Sequence, residues 1–194
     1  MPGLHFSSVA FVGSLVDNPH KRFGRFLVTS FKFPALPGVK TIAFYIRRGQ
    51  QLNDSGAYLL DNRPDGGFFL SQDRNSVTGH ANGVDITAIM GLAAVSTLAW
   101  VKVSLQATSF PEPYLFSRFT LDGKLGNYDI SSLRTYSRAL TAAEAADGTG
   151  PFPADSMVSR YDFSLATASA VPDTLTGAYP LILYGDAGTS FTNG

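Results

Sequence analysis

The chain has 194 residues, of which 44% are hydrophobic and 15% charged, with Lys plus Arg and Asp plus Glu equal at 15 each. So much apolar material and so little charge exclude a disordered chain, and a net charge of zero supplies no pull toward phosphate or a membrane surface. There is no cysteine, which excludes disulfides and zinc–thiolate sites.

In chain order, residues 6–12 form the first strand candidate, followed by 23–33, rich in Phe and Val. Residues 41–47 alternate with period two, Ile42, Phe44 and Ile46 sharing one face, the mark of a half-buried strand. Strands are also expected at 56–60 and 68–71, divided by the turn chemistry of Arg63-Pro64-Asp65-Gly66-Gly67. A second helical stretch is read over 86–94. In residues 100–106, Val101, Val103 and Leu105 line one face and the other is mostly polar. The next strand runs over 114–121, and Asp122-Gly123 favours a type I′ hairpin turn before Lys124-Leu125. After a strand at 130–136 comes the one strongly signalled helix, over 141–147. Thr141 supplies an N-cap hydroxyl and Glu144 a carboxylate three residues on, a pairing that satisfies two orphan N–H groups reciprocally. Leu140 pins this helix to the sheet, and Gly148 ends it by accepting a left-handed conformation. Strands at 158–163 and 180–184 complete the set.

Short strands with turn signals, not interleaved with helices, predict an all-β fold: a two-sheet antiparallel β-sandwich with one short α-helix near 141–147. Length fits a single domain over 1–194. Residues 150–153 form a surface connection, because the stretch 151–194 is too short to build its own core and is expected to pack on the same sandwich as a C-terminal extension. No apolar run reaches 18 residues, and Met1-Pro2-Gly3-Leu4-His5 opens no signal-peptide pattern. The expectation is synthesis in a cytosol, no membrane insertion, and departure from the cell by assembly or lysis.

The run Tyr128-Asp129-Ile130-Ser131-Ser132-Leu133-Arg134-Thr135-Tyr136-Ser137-Arg138-Ala139-Leu140-Thr141-Ala142-Ala143-Glu144 resembles the signature of the concanavalin A-like lectin/glucanase superfamily. More narrowly it is similar to the laminin-G-like jelly-roll modules, in which a late "Leu-Arg-x-Tyr-x-Arg-Ala-Leu" strand runs into a "Thr/Ser-x-x-Glu" helical turn. Residues 42–47, Leu98-Ala99-Trp100-Val101-Lys102-Val103 and Leu121-Asp122-Gly123-Lys124 resemble further pieces, so the likeness spans roughly residues 38–148. It implies a jelly-roll, lectin-like sandwich with structural roles for Trp100, Asp122, Gly123, Arg134, Tyr136, Leu140, Thr141, Glu144 and Gly148. Beyond the helix, Arg160-Tyr161-Asp162-Phe163 and Asp173-Thr174-Leu175-Thr176-Gly177 look like pieces the family places at its beginning, so an extra or permuted strand pairing is expected there. The family's calcium ligands have no clear counterpart in this chain, which leaves the metal unknown.

Retaining glycoside hydrolysis needs two carboxylates about 5 Å apart, and the glucanases of the superfamily place them on alternate strand positions. The chain has two glutamates, Glu112 in a proline-flanked loop and Glu144 in the capping box. His5, His20 and His80 are scattered, and no Gly-x-Ser-x-Gly elbow accompanies them, so surface or hydrogen-bonded histidines are the simpler reading. No catalytic residue is assigned and no enzyme is expected. Gly79-His80-Ala81-Asn82-Gly83 lacks phosphate-loop spacing. Trp100 faces away from Val101 and Val103, open to a sugar-stacking role or to filling a second layer; the family pattern favours the second. Candidate carbohydrate contacts are Asn53, Asp54, Asp61, Asn62, Asp65, Asp73 and Asn75, whose amides and carboxylates suit vicinal hydroxyls or an oxygen-liking calcium. The plainer reading is that they make turns. No cofactor is assigned.

A weakly charged, neutral chain with 15 Phe and eight Tyr suits permanent packing against partners. The leading expectation is a non-catalytic structural and binding protein of a bacteriophage particle: a tail-fibre, baseplate or capsid-decoration subunit located in the virion. Its partners would be other virion subunits, in a homo-oligomer, and surface glycans, with no nucleic acid. The alternatives are a bacterial carbohydrate-binding module or adhesin, and a divergent glycan-active enzyme.

Overall fold

The computed structural model describes residues 24–26, 30–48, 60–62, 78–85, 100–115, 128–146, 151–167 and 169–184. Within them the strands are β1 (Gly24–Phe26), β2 (Ser30–Lys32), β3 (Thr41–Arg48), β4 (Leu60–Asp61), β5 (Thr78–Ala81), β6 (Val84–Asp85), β7 (Val101–Gln106), β8 (Tyr114–Leu115), β9 (Tyr128–Tyr136), β10 (Met157–Arg160), β11 (Ala170–Val171) and β12 (Leu181–Tyr184). One helix, α1 (Ala142–Ala146), and a 3-10 turn at Phe163–Leu165 accompany them. The strands form two antiparallel sheets. The larger runs β1-β9-β3-β7-β5-β6, with β10 also on β9, and the smaller runs β11-β12-β2-β8-β4. The fold is a β-sandwich with one short helix.

Alternation places the inter-sheet core. Ile42, Phe44 and Ile46 of β3, Val103 and Leu105 of β7, and Ile130 and Leu133 of β9 meet Phe31, Leu115, Val171 and Leu181 of the smaller sheet, all fully buried. Phe31 packs on Phe163 with ring centres 5.8 Å apart, and Phe33 meets Tyr161 edge-on at 5.7 Å, the arrangement that ring quadrupoles favour. In β9 a bulge opposite Phe44 holds Ser132 at φ 52, and the extra residue lets both Ile130 and Leu133 face the core. Two of the crossovers between the sheets, β2 to β3 and β7 to β8, run side by side. Leu36-Pro37-Gly38-Val39 turns with Pro37 second, Gly38 at φ 75 and Val39 N–H donating to the Leu36 carbonyl at 3.2 Å, while Leu36 itself bridges to Phe110 on the other crossover.

The outward faces of β3 and β7 depart from the half-buried expectation. Thr41, Ala43 and Tyr45 are as buried as their inward neighbours, and Lys102 on β7 is 1% exposed. The reason is a third layer. Leu140 and Phe152 fold across this face with Ala43, Tyr45 and Tyr136, joined by Trp100 and Met157, and α1 packs over β5 and β7. The C-terminal stretch does more than lie on the sandwich. It places β10 in the larger sheet and β11 and β12 in the smaller, with β12 between β11 and β2. β5 and β6, read only as a failed phosphate loop, are a hairpin turned by Asn82 at φ 47 and Gly83 at φ 78. The strand candidates at 6–12 and 68–71, the helical stretch at 86–94 and the Asp122-Gly123 turn lie outside the described residues.

Candidate functional site

Most of the proposed sugar contacts, Asn53, Asp54, Asp65, Asp73 and Asn75, lie outside the described residues, as do Asp122, Gly123 and Gly148. Asp61 is in β4, in register with Tyr114. Asn62 follows it, 4% exposed, and its Nδ2 donates to the Ser109 carbonyl at 2.8 Å. That contact braces β4 against the second crossover.

The residues that carry the family likeness cluster around α1 instead. Thr141 N–H donates to Glu144 Oε2 at 2.8 Å and Glu144 N–H to Thr141 Oγ1 at 3.3 Å, the reciprocal cap that their spacing predicted. Arg138 donates through Nη1 and Nη2 to Glu144 and through Nε and Nη2 to Asp155. The Arg138 bonds first, and the Thr141 N–H second, hold the Glu144 carboxyl down to about 2. Tyr136 donates its phenol proton to the Pro153 carbonyl at 3.0 Å, and its burial pushes the phenol up. Arg134 donates to the Phe152 carbonyl at 3.2 Å, and the Leu140 carbonyl accepts from Gln106 Nε2 at 3.1 Å. Trp100 is half-buried against this layer. This cluster holds a layer in place, and most of its polar groups are occupied by one another, Arg134 Nε excepted.

The outer face of the smaller sheet is different. Ala170, Ile182, Lys32, Tyr114 and Asp61 occupy one register row across all five of its strands. Lys32 Nζ lies 2.9 Å from Glu112 Oε2, with side-chain exposures of 22% and 55%, and 5.5 Å from the centre of the Tyr114 ring. The Glu112 hydrogen bond, more than enough to offset partial burial, and then Tyr114 raise the Lys32 ammonium above its ordinary value. Ile182 is 37% exposed beside them. Ammonium donors, a carboxylate acceptor and an apolar side chain can together hold a polyol or a polar protein surface through hydrogen bonds and contact. The ammonium and carboxylate offset each other's charge. Among the described residues no group of three or more His, Cys, Asp or Glu could hold a metal ion, and no helix is long and apolar enough to cross a membrane.

Sequence reasoning singled out Asp61 but missed Lys32, Tyr114 and Glu112. Their signal is weak because the face is assembled from strands of two to four residues, too short to show a period. Comparison with family models, curated proteins and solved structures finds no match to this chain.

Proposed function

We propose that this chain is a non-catalytic structural and binding module of a bacteriophage particle, and that the outer face of its smaller sheet meets a surface glycan or a neighbouring subunit. The observation that carries the reading is the contrast between the two outer faces. The larger sheet is sealed by its own Leu140–Phe152 layer, whereas the smaller presents Ile182, Lys32 and Glu112 to solvent. The lectin-like strand-to-helix run and the neutral, aromatic-rich composition support the same reading.

Light scattering across a concentration series is expected to give a defined oligomer, and a glycan array to retain the wild type. The paired change Lys32→Ala and Glu112→Ala is expected to lower one of these by an order of magnitude while the circular-dichroism spectrum stays that of a β protein. A monomer at every concentration that also ignores every glycan sinks the proposal.

A further inference from the structure

Beneath the sealing layer, a row of polar atoms is buried without being used by the fold. His80, Ser104, Ala43 and Arg134 are successive register partners across β5, β7, β3 and β9. Among the described residues, no hydrogen-bond partner reaches His80 Nδ1, Ser104 Oγ or Arg134 Nε, and all three atoms are buried. Ser104 as a whole is 1% exposed. Native folds rarely leave such atoms orphaned, because each has given up water for nothing. Between Ser104 and Arg134 the row carries only the methyl group of Ala43.

All three orphans can be donors: a hydroxyl, a guanidinium N–H, and an imidazole N–H in the tautomer protonated at Nδ1. The cations nearby outnumber the one carboxylate in the row, Asp85, the register partner of His80 on β6. Arg134 lies with Cζ 5.7 Å from the Phe152 ring centre, and Lys102 Nζ stands 4.8 Å from the same centre. Among the described residues Arg134 has no carboxylate within ion-pair distance; it donates to the Phe152 carbonyl and lies beside the Tyr136 hydroxyl. A water molecule could fill the donors' need but would leave the part-buried guanidinium without a counter-charge. An anion answers both.

We infer that a small inorganic anion binds between the larger sheet and its covering layer, held by Ser104 Oγ, Arg134 Nε and His80 Nδ1. Phe152 and Leu140 close the site from outside.

Bromide is the probe. Crystals grown without halide and then soaked in sodium bromide are expected to show an anomalous peak within hydrogen-bonding reach of Ser104 and Arg134. In solution, replacing fluoride by bromide at constant ionic strength is expected to raise Tm saturably. Ser104→Ala and His80→Gln are each expected to cut that response several-fold while remaining folded. An ordered water with no anomalous signal there overturns the proposal. So does a bromide peak in the crystal with a flat Tm in solution, which marks an adventitious ion only, and so does a Tm response that both variants keep in full.

Discussion

Arg138 and Glu144 meet fork to fork, Nη1 donating to Oε2 at 2.8 Å and Nη2 to Oε1 at 2.7 Å. The same guanidinium reaches Asp155 Oδ2 at 3.0 Å and Oδ1 at 3.1 Å, so one side chain fastens the first turn of α1 to the segment that delivers Phe152. Both carboxyls are held below their ordinary values, Glu144 at about 2, with Arg138 the largest cause for each. A carboxyl whose folded value is depressed adds stability that is complete above its unfolded value, near 4, and vanishes as pH falls through the folded one. Arg138→Ala is therefore expected to lower Tm near neutrality, with the wild-type and variant curves converging between about pH 4.5 and 2. The groups are partly exposed, so the gap should be a few degrees at most and should shrink in salt. Thermal melts across that range check it; a gap that persists undiminished at the acid end contradicts the linkage.

Thr141 gives the helix its start. Its hydroxyl accepts the Glu144 N–H, and its carbonyl accepts the Ala145 N–H at 3.0 Å. Thr141→Ala removes only the hydroxyl and should cost about 1 kcal/mol, which for a chain of this size lowers Tm by roughly 2–4 °C. Thr141→Ser should recover most of that loss. Differential scanning calorimetry separates the two variants.

Phe152 is the central side chain of the covering layer. It is 4% exposed, its ring centre is 4.8 Å from that of Tyr45, and two cations lie over it. Phe152→Ala opens a cavity and removes the aromatic face from Lys102 and Arg134, so a loss of about 3–5 kcal/mol is expected in urea unfolding. Phe152→Leu restores volume without the ring's quadrupole and should recover the larger part of it. Equal losses in the two variants would show that the cations, and not the packing, dominate.

The legible parts of this fold are those whose signals are local. Alternation at Ile42, Phe44 and Ile46 and at Val101, Val103 and Leu105 marks two central strands, and Thr141 with Glu144 marks the helix start, because each pattern is complete within a few residues. Asn82-Gly83 was readable too, since both positions need positive φ and that pair favours a type I′ turn. Its flanks, His80-Ala81 and Val84-Asp85, hardly alternate, so the hairpin has no strand signal beside its turn. What no local pattern carries is the third layer. The burial of Lys102 depends on Phe152, fifty positions along the chain, and the row from Asp61 to Ala170 depends on five strands meeting in register.

A chain of hydroxyls crosses the other end of the larger sheet. Thr135 Oγ1 and Ser159 Oγ are 2.7 Å apart, Ser159 Oγ donates to Tyr161 Oη at 3.1 Å, and Tyr161 donates to the Tyr179 carbonyl at 2.7 Å. It links β9 and β10 to the segment leading into β12. Burial is the main cause that pushes the Tyr161 phenol above its ordinary range, beyond what the Ser159 bond brings back down. Tyr161→Phe leaves the edge-on ring contact with Phe33 but strands the Tyr179 carbonyl and leaves the Ser159 hydroxyl with Thr135 alone. It should cost about 1–3 kcal/mol, more than Ser159→Ala, which leaves the Tyr179 bond in place. In an alkaline titration followed by phenolate absorbance, Tyr161 should ionise only as the sandwich unfolds, so the variant loses amplitude in the step that coincides with unfolding. Loss of amplitude in the earlier, folded-state step would place the Tyr161 hydroxyl in contact with solvent.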